Sequence, residues 1–184
     1  MAAKIRGESR DSRGGGSFVP RQRGPTEAMQ SYFQGYALNA IDAKNRLSIP
    51  AAFREVIEAR SHARTIVLAP HEREPCLIGY DRDFAARLFE KIERRFGDDF
   101  GPERDDAARL AFGATEQLGY DDNGRIVLSP ILKDLGELDR LAYFVAVGDT
   151  FEIWNPAVFR ETKADQPRLL RVLDRILASK GEAS

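Results

Sequence analysis

From Phe33 onward, short runs of alternating apolar and polar residues give way to helical spacing, and the same succession occurs twice. Alternation over about 33–41 and 115–120 predicts first strands, each running into a tight turn and a short second strand at 46–49 and 125–128. Asn123-Gly124 is a strong hairpin signal and predicts a type I′ turn with positive φ at both central residues. Lys44-Asn45 is its weaker counterpart, because asparagine tolerates positive φ better than most residues. A short helix is expected after each second strand, with Ser129 as N-cap and Pro130 at N1 in one case and Pro50 in the matching place in the other. Apolar runs at 65–69 with 76–80, and at 142–148 with 151–154, predict two further strand pairs. Asp81 opens a helix expected to reach about Phe96, where Gly97 can end it, and Pro102 opens another to about Leu110. Leu169, Leu170, Val172, Leu173, Ile176 and Leu177 form one apolar face of a C-terminal helix.

The two halves align residue by residue. At an offset of 79, Phe33 meets Phe112, Asp42 meets Asp121 and Arg46 meets Arg125, while Leu47, Ile49, Phe53 and Arg54 meet Ile126, Leu128, Leu132 and Lys133. Further on, Ile78 and Phe84 meet Ile153 and Phe159 at an offset of 75, one loop being four residues shorter. The matches fall at turns and apolar positions in the same order, which reads as an internal duplication. One such module of short strands buries too little surface to fold alone, a physical reason for the second copy.

Charge and composition narrow the classes. The chain has 184 residues, 42% hydrophobic and 31% charged, a globular composition with a net charge of −1. Residues 1–31 differ: they contain Gly14-Gly15-Gly16, few large apolar side chains and a net charge of +3, and read as a disordered basic arm. No apolar run approaches a membrane span and no secretory h-region is visible, so a soluble, cytoplasmic protein is expected. One cysteine excludes an internal disulfide, and Cys76 in an apolar strand reads as a small buried hydrophobe. Two histidines, His62 and His71, lack the spacing of a zinc-hydrolase motif, and no nucleophile–base–orienter set is visible. The expectation is no enzyme, no cofactor and no metal.

The shared motif is Asp-x-x-x-Arg across a turn: Asp42 with Arg46, and Asp121 with Arg125. Two readings stand. The carboxylate can fasten the turn by accepting backbone N–H groups, with the arginine neutralising it. Alternatively, the oriented arginine presents its planar fork to phosphate or guanine. The wider pattern, with Ile41-Asp42-Ala-Lys44-Asn45-Arg46-Leu-Ser-Ile-Pro50-Ala-Ala-Phe-Arg54 in the first copy and Phe151-Glu-Ile-Trp154-Asn-Pro closing the second, resembles two tandem swapped-hairpin AbrB-like modules, as in the MraZ family. The resemblance covers about 33–165.

The resemblance implies an α+β fold with pseudo-two-fold symmetry: a first module at 32–101 with its connecting helix, a second at 102–165, and a C-terminal helix and tail at 166–184. It also implies a sequence-specific, repressor-type transcriptional regulator of the division and cell-wall gene cluster. Such a regulator binds short direct repeats in double-stranded DNA upstream of that cluster, as a ring-shaped homo-oligomer in the nucleoid-associated cytoplasm. A non-catalytic assembly module that binds protein is the alternative. The expected DNA-binding residues are Arg46, Lys44, Asn45, Arg54 and Arg125, and the residues expected to shape the turns are Asp42, Asp121, Asn123 and Gly124. Residues 33–69 carry a net +2 and 112–148 a net −3, which favours the first repeat as reader. The apolar face at 168–177 predicts a closed homo-oligomer that covers it. Departures from the family pattern are Asn45 where glycine is usual, Ser129 where the second copy often has proline, Gly79 where an aromatic is common, and the basic arm.

Overall fold

A computed structural model of the chain describes residues 32–97 and 101–181. The basic arm lies outside them. The elements run β1 Tyr36–Ala40, β2 Arg46–Ser48, α1 Ala51–Ser61, β3 Thr65–Pro70, β4 Leu77–Tyr80, α2 Arg82–Phe96 and α3 Pro102–Ala108 in the first part. They continue as β5 Glu116–Gly119, β6 Arg125–Val127, α4 Pro130–Leu135, β7 Leu141–Ala146, β8 Phe151–Trp154, α5 Pro156–Thr162 and α6 Pro167–Gly181. The chain is α+β. Helix starts follow the caps: Asp81 accepts from Phe84 N at 3.0 Å, and Ser129 accepts from Leu132 N at 3.1 Å with Pro130 next in line. The helix opened by Pro102 does not stop near Leu110 but widens after Ala108 into a π-turn over Arg109–Gly113. The short helix α5, which the hydrophobic pattern alone left unmarked, starts at Pro156 with Asn155 accepting from Ala157 N at 3.0 Å.

Six strands form one antiparallel sheet in the order β1-β7-β8-β4-β3-β5, and β2 and β6 form a separate two-stranded ribbon. The order is symmetric about the β8–β4 contact. Each edge strand belongs to the opposite repeat, because β1 lies on β7 while β5 lies on β3. In the ribbon, Leu47 pairs with Ile126, its own equivalent, flanked by Arg46 with Val127 and Ser48 with Arg125. The register is therefore that of a two-fold axis through the ribbon, as the duplication requires.

The tight turns close on a single bridge, Ile41 with Leu47 in the first copy, rather than on a hairpin ladder. The second strands then cross to each other. Exchange lets Leu47 and Ile126, at most 1% exposed, meet over a core that also holds Ile49, Phe53, Leu128, Leu132, Phe144 and Phe151. A ladder within one repeat would remove that contact. The turns also differ from the expected type I′ form. Positive φ occurs only at the last loop residue, Asn45 at 57° and Gly124 at 72°. Asn45 N donates to Asp42 O and Asp42 N to Arg46 O, and Gly124 and Asp121 repeat both bonds. This is the three-residue loop that ends in one left-handed residue, so glycine is needed at one place instead of two.

Alternation divides the sheet into two faces. Phe144 and Ile153 point to the core beneath the ribbon, α1 and α4, whereas Tyr143 and Trp154 face α5 and α6. Gly79 has a packing reason: a Cβ there would lie 2.5 Å from Cε2 of Phe151, whose ring centroid is 4.9 Å from that of Phe33 and 5.0 Å from that of Phe53. The C-terminal helix corrects another expectation. Leu173 is fully buried against Tyr143, Trp154 and Phe159, with Leu170, Ile176 and Leu177 packed beside it. That apolar face covers the chain's own sheet and requires no second copy. Leu169 at the start of that helix stays exposed, and further exposed large apolar residues include Val127 on β6 and Ile131 and Leu135 on α4. No described helix is long and apolar enough to cross a membrane.

Candidate nucleic-acid interface

The two Asp-x-x-x-Arg turns are built almost bond for bond alike. Asp42 Oδ1 accepts from the backbone N–H groups of Lys44 and Arg46, both at 2.9 Å, and its Oδ2 accepts from Arg46 Nε at 2.6 Å. Asp121 Oδ1 accepts from Asn123 N and Arg125 N, also at 2.9 Å. Its Oδ2 takes both Nε and Nη2 of Arg125, at 2.9 and 2.7 Å. The backbone N–H and then the side chain of Arg46 hold the Asp42 carboxyl below the ordinary aspartate range; for Asp121 the Arg125 side chain is the larger cause and its backbone N–H the second. The same pairing raises the Arg125 guanidinium, with a smaller push from Asp42 in the other turn.

The difference between the arginines is geometric. Arg125 is held by two nitrogens on one carboxylate oxygen, whereas Arg46 engages its aspartate through Nε alone. The two terminal nitrogens of Arg46 make no hydrogen bond to Asp42. Alternation in the ribbon puts Leu47 and Ile126 on the core side, so Arg46, Ser48, Arg125 and Val127 share the outer face. Arg46 and Arg125 are diagonal neighbours there, within reach of one ligand surface.

The remaining expected residues have structural duties in the same place. Asn45 O accepts from Leu128 N at 2.9 Å and Gly124 O accepts from Ile49 N at 2.8 Å, so each turn is stitched to the strand exit of the other repeat. The side chain of Arg54 lies on Gly124, where a Cβ would be 2.6 Å from its Cζ, and its Nε donates to Ile49 O at 3.3 Å. In the symmetric position Lys133 Nζ donates to Asn45 Oδ1 at 3.0 Å. Arginine thus faces glycine in one turn and lysine faces asparagine in the other, which accounts for the departure at position 45. Arg54 and Lys133 align in the sequence, and each is the partner of the opposite turn. The signal was present in the matched pairs Asn45/Gly124 and Arg54/Lys133, but only the strand exchange relates them. Lys44 is exposed at the tip of its turn, and Asn123 is exposed beside Asp122.

Tertiary structure also redistributes the charge on which the contrast between repeats was based. Arg60, counted for the first repeat, is turned away from solvent with its side chain 9% exposed: it donates to Asp81 Oδ2 at 2.9 Å and to Asp149 O at 2.8 Å. Arg64 reaches the second turn, donating to Asp122 Oδ1 and Asp121 O, both at 2.8 Å. Counting each turn with the side chains bonded to it or packed on it, Asp42, Lys44, Arg46 and Lys133 give +2, and Asp121, Asp122, Arg125, Arg54 and Arg64 give +1. The +2 against −3 read from chain segments becomes two mildly cationic turns, side by side.

Among the described residues, no cluster of three or more His, Cys, Asp or Glu side chains could hold a metal ion. Cys76 is fully buried and its thiol is pushed far up by burial. His62 ends α1 at φ 49°, and His71 accepts from Arg73 N.

No protein-family model matches the chain. It is 34% identical over 137 residues to the transcriptional regulator MraZ of Gluconacetobacter diazotrophicus, covering 73% of this chain and 85% of that one. Against the transcriptional regulator MraZ of Rhodospirillum rubrum the identity is 32% over 143 residues, covering 77% and 90%. The same-named protein of Saccharophagus degradans is 33% identical over 133 residues, covering 72% and 88%. With that identity running through most of both chains, and with duplicated Asp-x-x-x-Arg turns meeting on one ribbon, the chain belongs to the MraZ family of transcriptional regulators.

Proposed function

We propose that the chain is a non-catalytic, sequence-specific DNA-binding transcriptional regulator that reads duplex DNA with the outer face of the β2–β6 ribbon and its two turns. The observation that carries this reading is Arg46, aimed by Asp42 through Nε with its terminal nitrogens left to a ligand. A fork fixed in this way suits guanine or phosphate better than a mobile lysine does. Lys44 at the turn tip adds a phosphate contact, and Arg125 adds a second, more tightly held fork. Arg54 and Asn45 act chiefly by shaping the turns.

The exchange of edge strands and the crossed ribbon support the tandem swapped-hairpin AbrB-like arrangement, with both partners in one chain. The exposed apolar residues of β6 and α4 support a closed ring of copies, which lines up several ribbons along short direct repeats. The target is the division and cell-wall gene cluster, with repression as the outcome and the nucleoid as the location.

The experiment is a binding titration of duplex DNA from upstream of the chain's own gene, at several salt concentrations. Affinity is expected to fall linearly in log–log form with salt. Cluster DNA should be preferred over scrambled DNA. Binding that ignores both salt and sequence overturns the reading and leaves the assembly module in its place.

A further inference from the structure

The helix-covered face of the sheet is closed in one half of the duplication and open in the other. In the second half Phe159 of α5 and Leu173 of α6 seal Tyr143 and Trp154, each at most 1% exposed. In the first half the corresponding cluster is Val67 and Tyr80 of the sheet with Phe84 of α2. There α3, the helix that follows, contributes no buried residue. A cleft of about 410 Å³ remains between α2, the end of α3 and the loop after β3. That is the size of a small-molecule site.

Its chemistry is amphipathic. The walls are Ile78, Phe84, Leu88 and Ile92, and the rim carries Lys91 and Arg95, one turn apart on α2, with Arg73 across from them. The acids at the rim are Glu72 and Asp149, and Asp149 lies 3.7 Å from the Arg60 guanidinium. Tyr80, 1% exposed, lines the cleft, and its hydroxyl is buried with no hydrogen-bond partner. Thr115 is the polar side chain beside that hydroxyl, and its own hydroxyl donates to Ala111 O at 2.9 Å.

We propose that this cleft binds a single-chain carboxylate amphiphile of the fatty-acid type, the carboxylate taken by Lys91 and Arg95 and the chain lying on Phe84, Leu88 and Ile92. The site is separate from the ribbon, so its test needs no DNA. Dodecanoate, kept below its micellar concentration, is titrated into the full chain by calorimetry, with dodecanol as the uncharged control. Saturable binding at one site is expected, about tenfold weaker for dodecanol and for the Lys91→Gln/Arg95→Gln double variant. Both substitutions are on exposed positions, so the variant keeps its fold. Leu88→Trp, which fills the cleft, should abolish binding at unchanged circular dichroism. Non-saturable uptake, equal affinity for dodecanol, or full affinity in the double variant overturns the proposal.

Discussion

The Arg54–Gly124 contact sets the shape of the second turn, and Gly124→Ala tests how. Two costs follow from the geometry. Alanine at φ 72° occupies the left-handed region, which disfavours a side chain by about 1–2 kcal/mol. Its Cβ would also stand 2.6 Å from Arg54 Cζ, so the arginine must swing away and release Ile49 O, a loss of about 0.5–1.5 kcal/mol for a half-buried bond. The sum is about 1.5–3.5 kcal/mol, and the two parts can be separated. In an Arg54→Ala background the second cost has already been incurred, so Gly124→Ala should cost only the backbone part, about 1–2 kcal/mol. Urea unfolding of the wild type, both single variants and the double variant gives the coupling directly. The mirror variant Asn45→Gly loses only the Lys133 bond and relieves φ, so it should stay close to wild type. Equal cost of Gly124→Ala with and without Arg54 would refute the steric account, and so would a larger loss for Asn45→Gly than for Gly124→Ala.

Arg46→Ala should weaken operator binding by about tenfold or more per site with only a small drop in melting temperature from the lost, half-exposed Asp42 pair, and Arg46→Lys should recover only part of the binding, as read by gel shift and thermal melting on the same samples; unchanged affinity in a folded variant removes Arg46 from the interface. Asp42 and Asp121 both have folded carboxyls below their unfolded values, so their contribution is complete above about pH 4 and is lost as pH falls through the lower folded values. Melting temperature should therefore fall less steeply on acidification in Asp42→Asn/Asp121→Asn, which has no such carboxylates to protonate. Gly79→Ala should destabilise by about 1–3 kcal/mol in urea unfolding, because the Phe151 ring is enclosed by Phe33 and Phe53 and cannot yield. Cys76 should react with a thiol reagent only at the rate of unfolding, since it is fully buried and its thiol is pushed up; prompt modification of the native protein would contradict that burial.

Local chemistry made much of this protein legible from its residues in order. Ser129-Pro130, Asp81 and Gly97 mark helix ends because capping involves groups only a few positions apart. The Asp-x-x-x-Arg turns are legible for the same reason: every bond from Asp42 reaches no further than Arg46. The duplication, too, is a property of order alone. What the order did not contain is which strand meets which. Strand pairing is decided by the burial of Leu47 on Ile126 and by the edge positions of β1 and β5, contacts between residues far apart in the chain, such as Leu68 with Glu116 and Tyr36 with Val145. That exchange sends Arg64 to Asp122, Lys133 to Asn45 and Arg54 to Gly124, so a charge total over either repeat describes neither turn. It also turns the apolar stripe of α6 inward, because the sheet face under Leu173 is completed by β1 of one repeat and β7 of the other. Short-range hydrogen bonding wrote the two turns into the sequence, and long-range burial placed them side by side.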